Sequence, residues 1–132
     1  MADFEYETEI QVRFRDIDAM GHVNNAVYAT YLEQARVDYY ADVLGVGLDE
    51  IDTALVSLEI DYHRAITLDD TVTVALGVRD IGESSVTVEY EVRAGDSVAA
   101  TAETVQVYVD PEAETSRPLP EAWRGRMDAY RA

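Results

Sequence analysis

The sequence predicts an α+β domain in which one long helix is covered by a single antiparallel sheet of five or six strands. Three observations carry this expectation. Only one segment, Ala26 to Leu44, repeats its apolar residues at three- and four-residue intervals, as a helix buried along one side does. One segment before it and four after it alternate apolar and polar residues, the pattern of half-buried strands. The breaks between the later segments are short and rich in Asp and Gly, the chemistry of turns. A chain of 132 residues fits one domain, taken as residues 1–132 with a core over about 4–110 and a C-terminal extension over 111–132. At this size roughly 65–70% of the unfolded surface is buried on folding, enough for a core.

From the N-terminus, Phe4, Tyr6, Thr8, Ile10, Val12 and Phe14 alternate with Glu5, Glu7, Glu9, Gln11 and Arg13, predicting a strand over 4–14. Between Asp16 and Asn24 the alternation stops and Asp, Gly and Asn take over, residues that supply side-chain acceptors or a positive φ. The helix follows, with Tyr28, Tyr31, Leu32, Ala35, Tyr39 and Val43 as its apolar stripe, Asn24 or Asn25 as its N-cap and Gly45 at its C′ position. Residues 46–53 read as a polar connection.

Four strand patterns come next. Val56, Leu58, Ile60 and Tyr62 alternate with Ser57, Glu59, Asp61 and His63. Val72, Val74, Leu76 and Val78 form the second set, and Val86, Val88, Tyr90 and Val92 the third. Breaks at 68–70, 80–83 and 94–96 read as hairpin turns. In the last pattern Ala100 and Ala102 share one parity while Val105, Val107 and Val109 share the other, which predicts a bulge near Glu103. Past Pro111 the chain is turn-rich, and Glu121 to Arg131 reads as a short helix.

The charge balance excludes several functions. The chain carries 27 acidic and 10 basic residues, a net charge of −17, and every basic residue is Arg. With no basic stripe to release counterions, nucleic acid is not an expected partner. The absence of cysteine removes disulfides, thiolate metal sites and a Cys nucleophile. No apolar run approaches the ~20 residues of a membrane span, and the N-terminal segment has neither a basic stretch nor an apolar signal core, so a cytoplasmic protein is expected. Self-repulsion of this size opposes compaction in dilute buffer, but at molar salt the screening length falls to about 3 Å. A high-salt cytoplasm is therefore the expected setting. Thermal stability should rise steeply between dilute buffer and molar KCl; a flat dependence in a melting series would contradict this.

The stretch from Arg15 to Arg36 concentrates the chemistry. It places Asp16, Asp18, His22, Asn24 and Asn25 in a polar turn that feeds directly into a helix N-terminus, where unpaired backbone N–H groups favour negative charge. Each residue also has a plain structural role open to it. Asp16 and Asp18 suit turns in which the carboxylate accepts nearby backbone N–H groups. His22 suits a backbone-bonded turn position, and the two Asn suit caps. Glu33 and Arg36, three apart, suit a surface or interface ion pair, and Tyr28, Tyr31, Tyr39 and Tyr40 suit the core.

Asp16, Asp18, Gly21, His22, Val23, Asn24 and Asn25, followed by Tyr28, Tyr31, Glu33 and Arg36, match a signature: an Asp-x-Asp turn, then Gly-His-Val-Asn-Asn and a helix with Tyr-x-x-Tyr-x-Glu-x-x-Arg. In this, and in strand order over about residues 4–110, the chain resembles the hotdog-fold acyl-CoA thioesterases of the 4-hydroxybenzoyl-CoA thioesterase type. The resemblance implies thioester hydrolysis with Asp18 as nucleophile or general base and the backbone N–H of Asn25 as the oxyanion donor. Gly21 and His22 accompany them in the catalytic turn. Tyr28, His63 and Arg64 are the implied substrate contacts, with Arg64 reaching the phosphates or pantetheine of CoA unless it is a solvated strand-end residue.

No metal or cofactor is implied beyond CoA as part of the substrate. A homodimer built through an exposed sheet edge is expected, a pair of dimers being left open. Two rival readings remain on the same fold. An enoyl-CoA hydratase is disfavoured, because Asp18 and His22 stand four apart where that motif places them five apart. A non-catalytic acyl-CoA-binding dimer is the other.

Overall fold

The computed structural model describes residue 4 and residues 6–129. It contains one long helix wrapped by a curled antiparallel sheet, the arrangement of the hotdog fold. Strand β1 (Tyr6–Ile10) leads through a 3₁₀ turn (Phe14–Asp16) to α1 (Val27–Tyr39), whose last turn widens to a π-turn at Tyr40–Leu44. Then follow β2 (Thr53–Tyr62), β3 (Val72–Ile81), β4 (Ser85–Ala94), β5 (Ser97–Asp110), the two-residue β6 (Thr115–Ser116) and α2 (Glu121–Asp128). The sheet order is β1-β3-β4-β5-β2, with β6 pairing to β5.

The helix ends as expected. Gly45 takes φ +68°, and the next amide, Val46, returns to the carbonyl of Tyr40 at 2.9 Å. Arg126 of α2 donates to the Leu44 carbonyl at 2.6 Å, which sets a cation at the negative end of the helix. Near the same end the helix is tied to β1 by the Tyr6 hydroxyl on Asp42 (2.6 Å) and the Thr8 hydroxyl on Asp38 (2.7 Å). Burial, helped by the nearby carboxylates of Asp42 and Asp38, raises the Tyr6 phenol well above its ordinary range. Tyr28, Tyr31, Leu32, Ala35 and Tyr39 face the sheet, meeting Val72, Val74, Leu76, Val78 and the buried residues of β4. Leu119, Trp123 and Met127 join the same core, so the C-terminal segment supplies part of the interior.

Several sequence expectations are corrected. The first strand stops at Ile10 instead of Phe14, because its partner β3 begins at Val72, opposite Ile10, and beyond that rung there is nothing to pair with. Phe14, expected inside, is 82% exposed. Glu5 of that strand, and Tyr130 and Arg131 of the expected C-terminal helix, lie outside the described residues. The break at 68–70 is not a hairpin turn: β2 pairs with β5 and β3 with β1 and β4, so residues 63–71 cross from one edge of the sheet towards the other.

The bulge expected near Glu103 is absent, since Glu103 pairs regularly with both Glu59 and Glu89. Register shifts fall instead between Leu55 and Ser57, Val78 and Asp80, and Val92 and Arg93. In β5 the buried parity continues from Ala100 through Thr104 and Gln106, leaving Val105, Val107 and Val109 on the outer face. In β2 the shift brings Leu55, not Val56, onto the face of Leu58, Ile60 and Tyr62.

Two surface features bear on function. β2 is an edge strand of 10 residues with Leu55 48%, Val56 60% and Tyr62 46% exposed, an unprotected apolar edge. On the outer face Glu59, Glu103 and Glu89 stand abreast on three strands, with Arg79 pairing to the latter two. Like charges directly opposite one another destabilise a sheet, which gives the expected salt dependence a specific location.

Candidate active site

The turn that carries Asp18 is a three-residue hairpin loop closed by a glycine. Ile17 and Val23 form a bridge, the Asp18 amide donates to the His22 carbonyl at 2.8 Å, and the Gly21 amide donates to the Asp18 carbonyl at 3.0 Å. Gly21 has φ +81°, the left-handed residue that follows a type I turn in such loops. A Cβ there would meet nothing within 4 Å, so the cost of Gly21→Ala is that of the backbone alone, about 1–2 kcal/mol. The expected result is a lower denaturation midpoint; an unchanged midpoint would show that the turn does not need this conformation.

Within this loop the two oxygens of Asp18 differ. Oδ1 accepts the amides of Met20 (2.9 Å) and His22 (3.3 Å), which fixes the carboxylate in orientation. Oδ2 has no hydrogen-bond partner among the described residues. Asp16 is tied into the fold through one oxygen: its Oδ2 accepts the Arg13 amide at 2.9 Å and the Tyr31 hydroxyl at 2.7 Å. That contact, added to burial, raises the Tyr31 phenol above its ordinary value. His22 is exposed and contributes its backbone to the turn.

Helix α1 starts immediately after. The Asn24 amide donates to the Asp16 carbonyl (2.9 Å), the Asn24 side chain accepts the Ala26 amide (2.9 Å), and the Asn24 carbonyl accepts the Val27 amide (2.9 Å). Asn24 therefore does the capping, although the regular helix begins at Val27. The Asn25 amide makes no hydrogen bond among the described residues, leaving one N–H open at the positive end of the helix.

The remaining expected contacts sit behind this turn. Tyr28 is 2% exposed; its hydroxyl donates to the Arg64 carbonyl at 3.4 Å and its ring meets Tyr62 edge-on at 4.9 Å. Burial raises its pKa. In this position it holds the 63–66 segment against the helix. His63 faces Thr101, with Nε2 3.0 Å from its hydroxyl oxygen. The Arg64 guanidinium lies 3.3 Å from Asp70. The Asp70 carboxyl is held below its usual range, first by the Thr67 amide and then by Arg64. Arg36 does not pair with Glu33: it turns inward and donates to the Tyr90 hydroxyl at 3.2 Å. Among the described residues no three His, Asp or Glu side chains gather as metal ligands.

One neighbour of the site escaped the sequence reading. The Tyr62 hydroxyl donates to the Asn25 carbonyl at 2.8 Å, fixing the peptide next to the open amide. The sign that was available is its place at the end of an alternating segment, where a Tyr presents its hydroxyl to the next loop. Asp18 is half-buried and Asn25 exposed, at an open rim, and the larger hollows among the described residues are lined by other residues.

Fold and turn together define a hotdog-fold protein with an oriented carboxylate in the turn that leads into its long helix. The family model of the Thioesterase-like superfamily matches residues 12–127, and the chain belongs to that superfamily. A 1,4-dihydroxy-2-naphthoyl-CoA hydrolase of Synechococcus elongatus is 27% identical over 130 residues, covering 92% of each chain. The long-chain acyl-CoA thioesterase FadM of Escherichia coli is 30% identical over 90 residues, covering 60% of this chain and 62% of its own. A Thermus thermophilus thioesterase, solved with coenzyme A and Zn, superposes with a TM-score of 0.88 at 38% identity, covering 98% of this chain and 96% of its own.

Proposed function

We propose that the protein hydrolyses acyl-CoA thioesters to free CoA and a carboxylic acid, with Asp18 and the Asn25 amide on either side of the thioester carbonyl. The observation that carries this is the pairing of a carboxylate that has one oxygen fixed and one open with an unpartnered N–H at the helix start. From the rung of His22 to Asn25 is three residues, a span of roughly 10 Å at most. A carboxylate, a carbonyl and an amide in hydrogen-bond contact fill such a span.

Asp18 Oδ2 either attacks the carbonyl carbon, expelling CoA thiolate and leaving an anhydride that water opens, or takes a proton from the attacking water. In both routes the negative charge that grows on the carbonyl oxygen is met by the Asn25 N–H and the helix dipole. Tyr62 fixes the peptide that follows that amide, through the Asn25 carbonyl. His22, Gly21, His63 and Arg64 line the approach, with Arg64 as the cation for a CoA phosphate once it leaves Asp70. The match of the Asp-x-Asp and Gly-His-Val-Asn-Asn pattern supports the 4-hydroxybenzoyl-CoA thioesterase type within the superfamily.

The open rim and the exposed edge of β2 support a homodimer in which the second subunit closes the site. The acidic, Lys-free surface supports a salt-rich cytoplasm as its setting. The test is CoA release from a panel of acyl-CoAs in molar KCl, read with a thiol reagent. Release establishes the hydrolase. Binding without release would favour the non-catalytic reading, and loss of enoyl absorbance without release the hydratase.

A further inference from the structure

We propose that the groove between α1 and β2 holds the acyl group and that Arg36 at its far end selects acyl groups ending in a carboxylate. This rests on the thioester-hydrolase reading above and adds the class of acyl group. The groove, about 140 Å³, is lined by Ala29, Thr30, Glu33 and Arg36 of α1 and by Leu55 and Leu58 of β2. It opens at Ala29, one helical turn after Asn25, and runs to Arg36, which lies roughly 10 Å beyond Ala29 and roughly 16 Å beyond Asn25 at 1.5 Å per residue. Because helical side chains lean toward the N-terminus, the guanidinium lies nearer than that to the proposed reacting carbonyl. The Leu residues accept a hydrocarbon stem, and the cation stands at its end.

Three observations identify Arg36 as built to receive an anion. It is half-buried, yet no carboxylate lies within ion-pair distance of it among the described residues. A cation drawn out of water without a counter-charge is costly, and a substrate carboxylate removes that cost when it binds. Second, the guanidinium is held from below by an uncharged relay. Arg36 donates to the Tyr90 hydroxyl at 3.2 Å, Tyr90 and Thr104 share a hydrogen bond of 2.6 Å, and the Gln106 amide donates to Thr104 at 2.7 Å. All three partners are buried. They orient the cation without neutralising it, leaving its other donors for a ligand.

Third, the relay ends in an unsatisfied group. Gln106 Oε1 is buried without a partner, and Gln106 stands directly across from Leu55 in the β2–β5 ladder, beneath the groove. The sheet has spent two interior positions, Thr104 and Gln106, on polar side chains at the one place where α1 brings a cation over it. A groove for a plain alkyl chain has no use for them. A carboxylate accepts from Arg36 in a forked geometry that lysine does not reproduce.

The test compares suberyl-CoA with octanoyl-CoA, and sebacyl-CoA with decanoyl-CoA, as substrates of the full-length wild type, Arg36→Leu and Arg36→Lys, with light scattering on each. The wild type is expected to favour the ω-carboxylate member of each pair by tenfold or more in kcat/KM, mainly through KM. Arg36→Leu should abolish or reverse that preference, and Arg36→Lys should retain part of it. Equal turnover within each pair overturns this inference and leaves the hydrolase reading standing. An unchanged ratio in Arg36→Leu, or dissociation of its oligomer, assigns Arg36 to packing or to a subunit contact and likewise overturns it. Release of CoA from none of the thioesters by the wild type overturns both.

Discussion

Asp18→Asn is expected to lower kcat for CoA release by roughly 10²–10⁴-fold, the range for loss of a positioned acid–base group, or by more if the carboxylate is the nucleophile. Asparagine keeps the Oδ1 acceptor that the amides of Met20 and His22 use, so the turn and its helix should remain in place. What it removes is the negative charge on the open oxygen. The variant should therefore bind acyl-CoA with unchanged affinity and melt at the wild-type temperature. A kcat within threefold of wild type would remove Asp18 from the chemistry. A large fall in melting temperature would mean that the carboxylate is only a turn residue. In single turnover in ¹⁸O-water, label retained in Asp18 would identify the nucleophilic route with the anhydride opened at its Asp18 carbonyl.

The second large effect is on stability. Leu32→Ala should cost about 2–5 kcal/mol, the usual range for a Leu truncated in a core. Leu32 is 0% exposed in the middle of the α1 face that meets the sheet. Its loss leaves a cavity between layers that have little freedom to close around it. Because α1 carries the proposed oxyanion amide at its first turn, the same change should loosen the site, so that kcat falls while the variant is still folded. Denaturation in molar KCl measures the first effect, and CoA release well below the midpoint measures the second. A loss under 1 kcal/mol would show that the helix is held elsewhere, at the Tyr6–Asp42 and Arg126–Leu44 contacts.

Much of this was readable from residue order, and the misreadings have physical causes. The long helix, its Gly45 stop, the turn at Gly21 and the strands from Val72 to Val92 follow from periodicity and turn chemistry, which are local. Phe14 and Val12 kept the alternation of the strand before them, and only the start of β3 opposite Ile10 ends that strand, a fact of pairing. Thr104 and Gln106 misled for a related reason. They occupy core positions because they bond to each other and to Tyr90, so hydropathy assigned the core to Val105, Val107 and Val109 and invented a bulge to fit. For Arg36, local spacing predicts a pair with Glu33, three residues away. In the fold it meets Tyr90, 54 residues distant. At the candidate site, Asp18 and Asn25 are proposed from a signature, whereas Tyr62 reaches the Asn25 carbonyl only because β2 ends beside the helix start.

The most direct test of the proposed chemistry follows the backbone amide of Asn25 by ¹H–¹⁵N NMR while a non-hydrolysable acyl-CoA ketone, with a methylene in place of the thioester sulfur, is added in molar KCl. The amide proton of Asn25 should move downfield in proportion to occupancy, as a new hydrogen bond to the ketone oxygen requires, and should do so in Asp18→Asn as well. Saturable binding of the ketone with the Asn25 resonance unmoved would contradict the account, because the carbonyl would then lie away from the helix start.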